Sequence, residues 1–225
     1  MDRQALGRLV MVAMVLVSLA APPMRAATPD PLLVKLQTRL DQLKSLKGRF
    51  VQSLDSKSLG RPRTEEGRFY VKKPSRMRWD YEKPEEKLAL LDGRNSWLYI
   101  PGDREVYRGA IKDLEECGAA ALLLAGRIRL DGDFEARRLT HDEAGPQGDV
   151  GAVAIELKPR KPSEEFDRLV LAIDPDRLQI RRLTVIDALG GRMVFELFDL
   201  EEDAPVPDDL FRFEVPAGVE VIENH

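Results

Sequence analysis

Along most of the chain beyond residue 48, apolar and polar positions alternate with a period of two, and a helical period appears in only two places. The first is PLLVKLQTRLDQLKSLK (31–47), where apolar residues at 32, 33, 36, 40, 43 and 46 share one helical face with charges opposite. This predicts an amphipathic helix ended by Gly48, followed by a first strand in which Phe50, Gln52 and Leu54 alternate with Val51 and Ser53. Turn signals then recur at short intervals, among them Asp92-Gly93, Gly102-Asp103, Asp174-Pro175 and Gly190-Gly191. Between them lie the strand candidates EGRFYVKK, SRMRWDYE, KLALLDG, NSWLYIP, REVYRG, FEARRLT, VAIELKP, DRLVLAI, QIRRLTVID and MVFELFDL, with DGRN as a hairpin turn. The pattern predicts a long antiparallel meander.

Within VKKPSRMRWDYEKP (71–84), Met77, Trp79 and Tyr81 point to one face and Arg76, Arg78 and Asp80 to the other. That is a half-buried strand, bounded by Lys73-Pro74 and Lys83-Pro84 because proline removes a ladder donor and restricts its predecessor. The second helical stretch, KDLEECGAAALLLAGRIRL (112–130), is rich in alanine and leucine, and Leu122, Leu123 and Leu124 are consecutive. It predicts a helix inserted between strands, with Gly118 and Gly126 bracketing its apolar part. A lid over the sheet and an ordinary core helix both fit that pattern.

The 225 residues, 33% charged and 43% hydrophobic, show no shift in composition and read as one domain. A net charge of −4 gives no basic stripe for nucleic acid. At the N-terminus, Arg3 and Arg8 precede the apolar run LVMVAMVLVSLA (9–20) and then small residues, the arrangement of a secretory signal peptide. Residues 1–27 are therefore assigned to the signal and 28–225 to the folded domain, with Ala20 an alternative cleavage position. The run is too short to span a bilayer. No cysteine follows it for lipid attachment, and Cys117, lacking an internal partner, is expected to be a buried thiol.

Chemistry has little to work with. The two histidines are His141 in a polar stretch and His225 at the end, and no nucleophile elbow, phosphate loop or zinc motif is present. Paired acids fall at turns or helix ends, and Asp131 and Asp133 flank only a glycine. No catalytic residue, metal or cofactor is expected. What remains is apolar surface: Met77, Trp79, Trp97, Tyr99, Phe195 and Phe198 are spread over more strands than a single curved sheet buries without a concave interior.

The amphipathic helix followed by LKGRFVQ, the segments EGRFYVKKPSRMRWDYEKP and LLDGRNSWLYIP, the helix ending LLLAG, the turn at Asp187 and Gly190, and FRFEVPAGVEVI occur in one order over about residues 31–222. In that order they resemble the periplasmic outer-membrane lipoprotein carrier family (LolA). The resemblance implies a mainly β (α+β) fold, an open, curved antiparallel half-barrel with helices covering its concave apolar face. It implies a monomeric, non-enzymatic periplasmic chaperone that shields lipoprotein acyl chains. An inner-membrane ABC lipoprotein exporter and an outer-membrane lipoprotein acceptor are its implied partners. A relative of the same fold that binds another lipid or senses envelope stress is the alternative. On this reading Met77, Trp79, Trp97, Leu122, Leu123 and Leu124 contact lipid. Lys73, where the family usually carries arginine, clasps backbone carbonyls of the lid formed by 112–130.

Overall fold

The computed structural model describes residues 30–55, 60–110, 123–124, 128–144, 151–163 and 166–223. The expected signal peptide, Cys117, Leu122 and most of the helix expected over 112–130 lie outside them. Helix α1 spans Pro31–Gln42 and opens with Asp30, whose carboxylate accepts the Leu32 amide at 2.8 Å. Two antiparallel runs follow: β1 (Ser45–Asp55), β2 (Arg63–Lys72), β3 (Arg76–Lys83), β4 (Lys87–Asp92), β5 (Asn95–Ile100) and β6 (Glu105–Ala110), then β7 (Phe134–Arg138), β8 (Val153–Pro159), β9 (Arg168–Asp174), β10 (Gln179–Ile186) and β11 (Arg192–Glu202). A one-turn helix α2, His141–Ala144, stands between β7 and β8, and β12 (Glu220–Glu223) comes last.

All twelve strands form one sheet in the order β12-β6-β5-β4-β3-β2-β1-β11-β10-β9-β8-β7. The expected meander accounts for most neighbours. Two pairings are additional: β1 with β11, which joins the two runs edge to edge, and β12 with β6, which is parallel. Among the described residues the fold is thus mainly β, one open sheet with few helices.

The first helix ends earlier than its apolar spacing predicts. Leu43 is extended, and Ser45 already belongs to β1, so Leu43 and Leu46 reach the core from extended chain. Gly48 does not stop a helix. It sits at the bulge between Lys47 and Arg49, where a Cβ would lie 2.8 Å from the Phe198 carbonyl oxygen and 3.0 Å from the Phe69 ring. The DGRN turn forms as expected: the Asp92 carboxylate accepts the backbone amides of Arg94 and Asn95, both at 2.7 Å.

Burial follows the strand alternation. One cluster unites Leu33, Leu36 and Leu40 of α1 with Phe50, Phe69 and Trp79 of β1–β3 and with Leu169, Leu183 and Phe195 of the second run. The opposite face of β2–β5 is covered separately by the chain after β11, through Val206, Phe211 and Phe213 against Leu90 and Trp97.

Gly67 has no room for a side chain. A Cβ there would stand 1.9 Å from the Asp80 carbonyl oxygen of β3, which is backbone and cannot swing aside. Gly67→Ala is therefore expected to destabilise the protein by about 3 kcal/mol, the upper range for forced overpacking, in urea unfolding. An unchanged unfolding midpoint would show that β2 and β3 do not approach so closely.

Candidate functional site

Alternation in β3 places Met77 and Trp79 inward, and the register carries the same face through Phe69 and Val71 of β2 to Phe50 of β1 and Phe195 and Leu197 of β11. Trp79 lies at the centre. Its ring centroid is 4.6 Å from Phe50 and 5.7 Å from Phe195, both edge-on, and 5.2 Å from Phe69, stacked. Leu123 and Leu124 are buried against this wall. Between them and Trp79, Ile180, Leu183, Phe195 and Leu197, the remaining void is about 10 Å³, roughly the room of one water.

A second void of about 10 Å³ is lined by Leu40, Leu43, Leu46, Val71, Lys73 and Leu124. The Lys73 ammonium donates to the Leu40 carbonyl, in the last turn of α1. Among the described residues its acceptor belongs to α1, while most of the 112–130 segment, which the family resemblance makes the acceptor, lies outside them. Leu124 is nonetheless beside it, so Lys73 stands where both segments meet. Burial pushes its pKa down, offset in part by the Asp41 carboxylate.

Trp97 does not join Trp79. Trp79 pairs with Ala89, and Ala89 with Leu98, so the inward row crosses β5 at Leu98 and leaves Trp97 on the opposite face. There its indole N–H donates to Asp92 at 2.9 Å, its ring lies 5.4 Å from Phe213, and the Arg108 guanidinium sits over it at 5.0 Å. Tyr99 shares that surroundings, 5.6 Å from Phe213, while Phe198 is exposed. Of the expected lipid contacts, Met77, Trp79, Leu123 and Leu124 converge, and Trp97 does not.

Sequence reasoning missed the polar members of this face. Gln37 lies on the buried side of α1, 2% exposed, and its amide accepts the Leu130 N–H and donates to Asp41, both at 2.8 Å. It fastens α1 to the chain just beyond Leu123 and Leu124. The alternation that turns Phe69 inward also turns Glu65 inward, where it is buried and accepts from Lys87 at 2.7 Å. Tyr81 donates to Gln52 at 2.9 Å beside them, with Lys87 4.5 Å over its ring. The aromatic wall thus ends in a polar border. Even-odd parity along β2 was the available signal for Glu65.

The model of the family "Outer membrane lipoprotein carrier protein LolA" matches residues 41–214. Relatives named outer-membrane lipoprotein carrier protein include that of Nitrosospira multiformis, 29% identical over 84% of this chain and 87% of its own, and that of Azotobacter vinelandii, 31% identical with the same coverage. Among solved structures, a conserved protein from Thermus thermophilus shares the fold at a TM-score of 0.52 with 12% identity, over 85% of this chain and 97% of that one. An apolar inner face spanning both strand runs, together with a family match covering most of the chain, gives one conclusion: this protein belongs to the LolA family of outer-membrane lipoprotein carriers.

Proposed function

We propose that the chain is a periplasmic carrier that holds lipoprotein acyl chains against the Trp79 face, taking them from an inner-membrane ABC exporter and yielding them to an outer-membrane acceptor. In this reading the sheet curves as a half-barrel within a single domain that follows a cleaved leader. α1 and the segment containing Leu123 and Leu124 cover its concave side. Binding and release, with no bond made or broken, are the whole activity.

The observation that carries the reading is the aromatic wall of Trp79, Phe50, Phe69 and Phe195 lying directly beneath Leu123 and Leu124. A void of about 10 Å³ admits no acyl chain, so cargo enters by displacing those leucines and taking over their contacts. About ten buried methylenes contribute roughly 8 kcal/mol, at about 0.8 kcal/mol each. Displacing the leucines, and the bonds that fasten their neighbours, offsets part of this. The difference is the net affinity, and it has to stay small enough for hand-over.

The two tryptophans report on opposite faces, which gives a direct test. An acylated lipopeptide is expected to change the fluorescence of the wild type and of Trp97→Phe, and to leave Trp79→Phe unchanged. The unacylated peptide should change none of the three. Loss of the response in Trp97→Phe, or an equal response to both peptides, removes the assignment of acyl chains to the Trp79 face.

Lys73 sets the balance if cargo entry separates α1 from β2. Its charge-assisted bond to Leu40 then favours the protein without cargo by about 1 to 3 kcal/mol. Lys73→Leu is expected to tighten acyl-peptide binding about five- to a hundredfold, seen as slower dissociation of a fluorescent triacyl peptide. Dissociation rates indistinguishable from wild type would mean that the Lys73–Leu40 bond persists when cargo is bound.

A further inference from the structure

On β7–β11 the face turned away from Trp79 carries a pocket of about 420 Å³, within the range of small-molecule sites. It is flanked by α2 and by the Asp187–Gly191 hairpin, with Glu143 and Gly190 at its margins. The strand register fixes its floor. Ile186 lies between Arg168 of β9 and Arg192 of β11, the next row on this outer face is Val170, Thr184 and Val194, and the row beyond is Ala172, Arg182 and Glu196. Thr184 is therefore the central residue, diagonal to Arg168 and Arg192 and two positions from Arg182. Diagonal cross-strand neighbours lie about 7 to 8 Å apart, within reach of an arginine side chain.

Two polar groups in this pocket stand out. Thr184 is 3% exposed, and its hydroxyl has no hydrogen-bond partner among the described residues. A buried hydroxyl without a partner is costly to keep, and such exceptions mark sites that something else completes. Arg192 is exposed at the rim and has no ion pair among the described residues. The other guanidiniums are held in place by carboxylates. Arg182 is 2.6 Å from Glu196, Arg168 is 2.6 Å from Asp167, and Arg137 is 2.6 Å from Glu143 and 3.2 Å from Glu156. The Glu143 carboxyl is pulled down to about 2, first by the Thr140 backbone amide and then by Arg137, so it stays ionised and keeps Arg137 as wall.

We infer that this pocket binds a small organic phosphate, whose oxygens take hydrogen bonds from Arg192 and the Thr184 hydroxyl, with the carboxylate-paired guanidiniums of Arg168 and Arg182 as its walls. A planar guanidinium matches a phosphate edge through two parallel N–H bonds, and a donor hydroxyl beside it suits a group with many acceptors. Val170, Ala172 and Ile186 supply an apolar floor for the carbon part of the ligand. The site is separate from the Trp79 face, since inward and outward residues alternate along the same strands.

The phosphate has two possible sources, a free metabolite or a lipid headgroup, and one set of experiments covers both. Calorimetry of the mature protein with inorganic phosphate and with glycerol phosphate is paired with co-sedimentation on phosphatidylglycerol and phosphatidylcholine vesicles. Saturable binding of glycerol phosphate, weakened at least about tenfold by Arg192→Gln and by the near-isosteric Thr184→Val but kept by Thr184→Ser, supports a soluble ligand. Binding to phosphatidylglycerol vesicles alone, lost in the same two variants, supports a headgroup. Acyl-peptide affinity should be unchanged in all three variants. No binding to any of these probes, or binding indifferent to both substitutions, overturns the proposal.

Discussion

Everything on the Trp79 face depends on one long-range pairing, that of β1 with β11. Each run of strands is held by local hairpins, but β1 and β11 lie about 140 residues apart in sequence, and their ladder from Leu46↔Glu202 to Asp55↔Arg192 is what makes two sheets into one. Phe50 sits on that seam, opposite Leu197 on one side and Gly67 on the other. Trp79 comes from the first run and Phe195 from the second, and their rings meet only because the seam brings β3 and β11 within two strands of each other. Gly48 allows the backbones to approach at the bulged end of the ladder, where Phe69 and Phe198 leave no space for a side chain. Closing such a loop costs entropy that grows only slowly with its length, and the buried aromatic area across the seam offsets it.

A sheet formed this way has two faces with different chemistry, and each strand supplies both. β10 shows this within a few residues: Leu183 is buried in the large cluster, while Arg182 and Thr184 line the arginine pocket on the other side. On β3, Trp79 faces inward, while Arg78 turns out to donate to Asp80 and to the Leu210 carbonyl. The chain after β11 is fastened to the outside by such bonds, with Lys72 donating to the Val206 carbonyl at 2.9 Å and Arg76 to Asp208 at 2.9 Å. Half of the outer face is therefore occupied by the protein's own C-terminal segment. The other half carries the pocket, so the two halves of one surface have separate uses.

What was legible in the sequence was whatever local periodicity specifies. Strand positions and the parity of Met77, Trp79 and Tyr81 follow from alternation alone, and the hairpin at Asp92 follows from its turn residues. The side taken by Trp97 needs the register across two successive hairpins, where a shift of one residue reverses every side chain, and local pattern does not carry that. The end of α1 was hidden for a different reason: Leu43 and Leu46 satisfy helical spacing and are also buried from extended chain. Gln37 and Glu65 were overlooked because they are polar residues in apolar positions, and only their partners, Leu130 and Lys87, explain their burial. The β1–β11 seam and the grouping of Arg168, Arg182 and Arg192 around Thr184 are products of topology and leave no mark in any short window.

On the proposed carrier reading, the polar fastenings of α1 explain how an apolar face is used reversibly. If α1 were held only by Leu33, Leu36 and Leu40, lifting it would expose apolar area gradually, with no sharp step between the covered and uncovered arrangements. Directional bonds change that. Lys73 holds the Leu40 carbonyl at one end, Gln37 holds the Leu130 amide from the middle, and Asp30 pairs with Arg138 of β7 at 2.6 Å at the other end. Each bond is lost within a small displacement, so the covered arrangement is one definite state and not a continuum. In the proposed function, cargo competes with a fixed set of contacts, and its net affinity is the acyl burial less that set. A buried amide such as Gln37 also costs free energy when separated from both partners, which raises the barrier to partial opening. On the proposed reading, the same residues lower affinity for cargo and restore a single closed geometry once cargo has left.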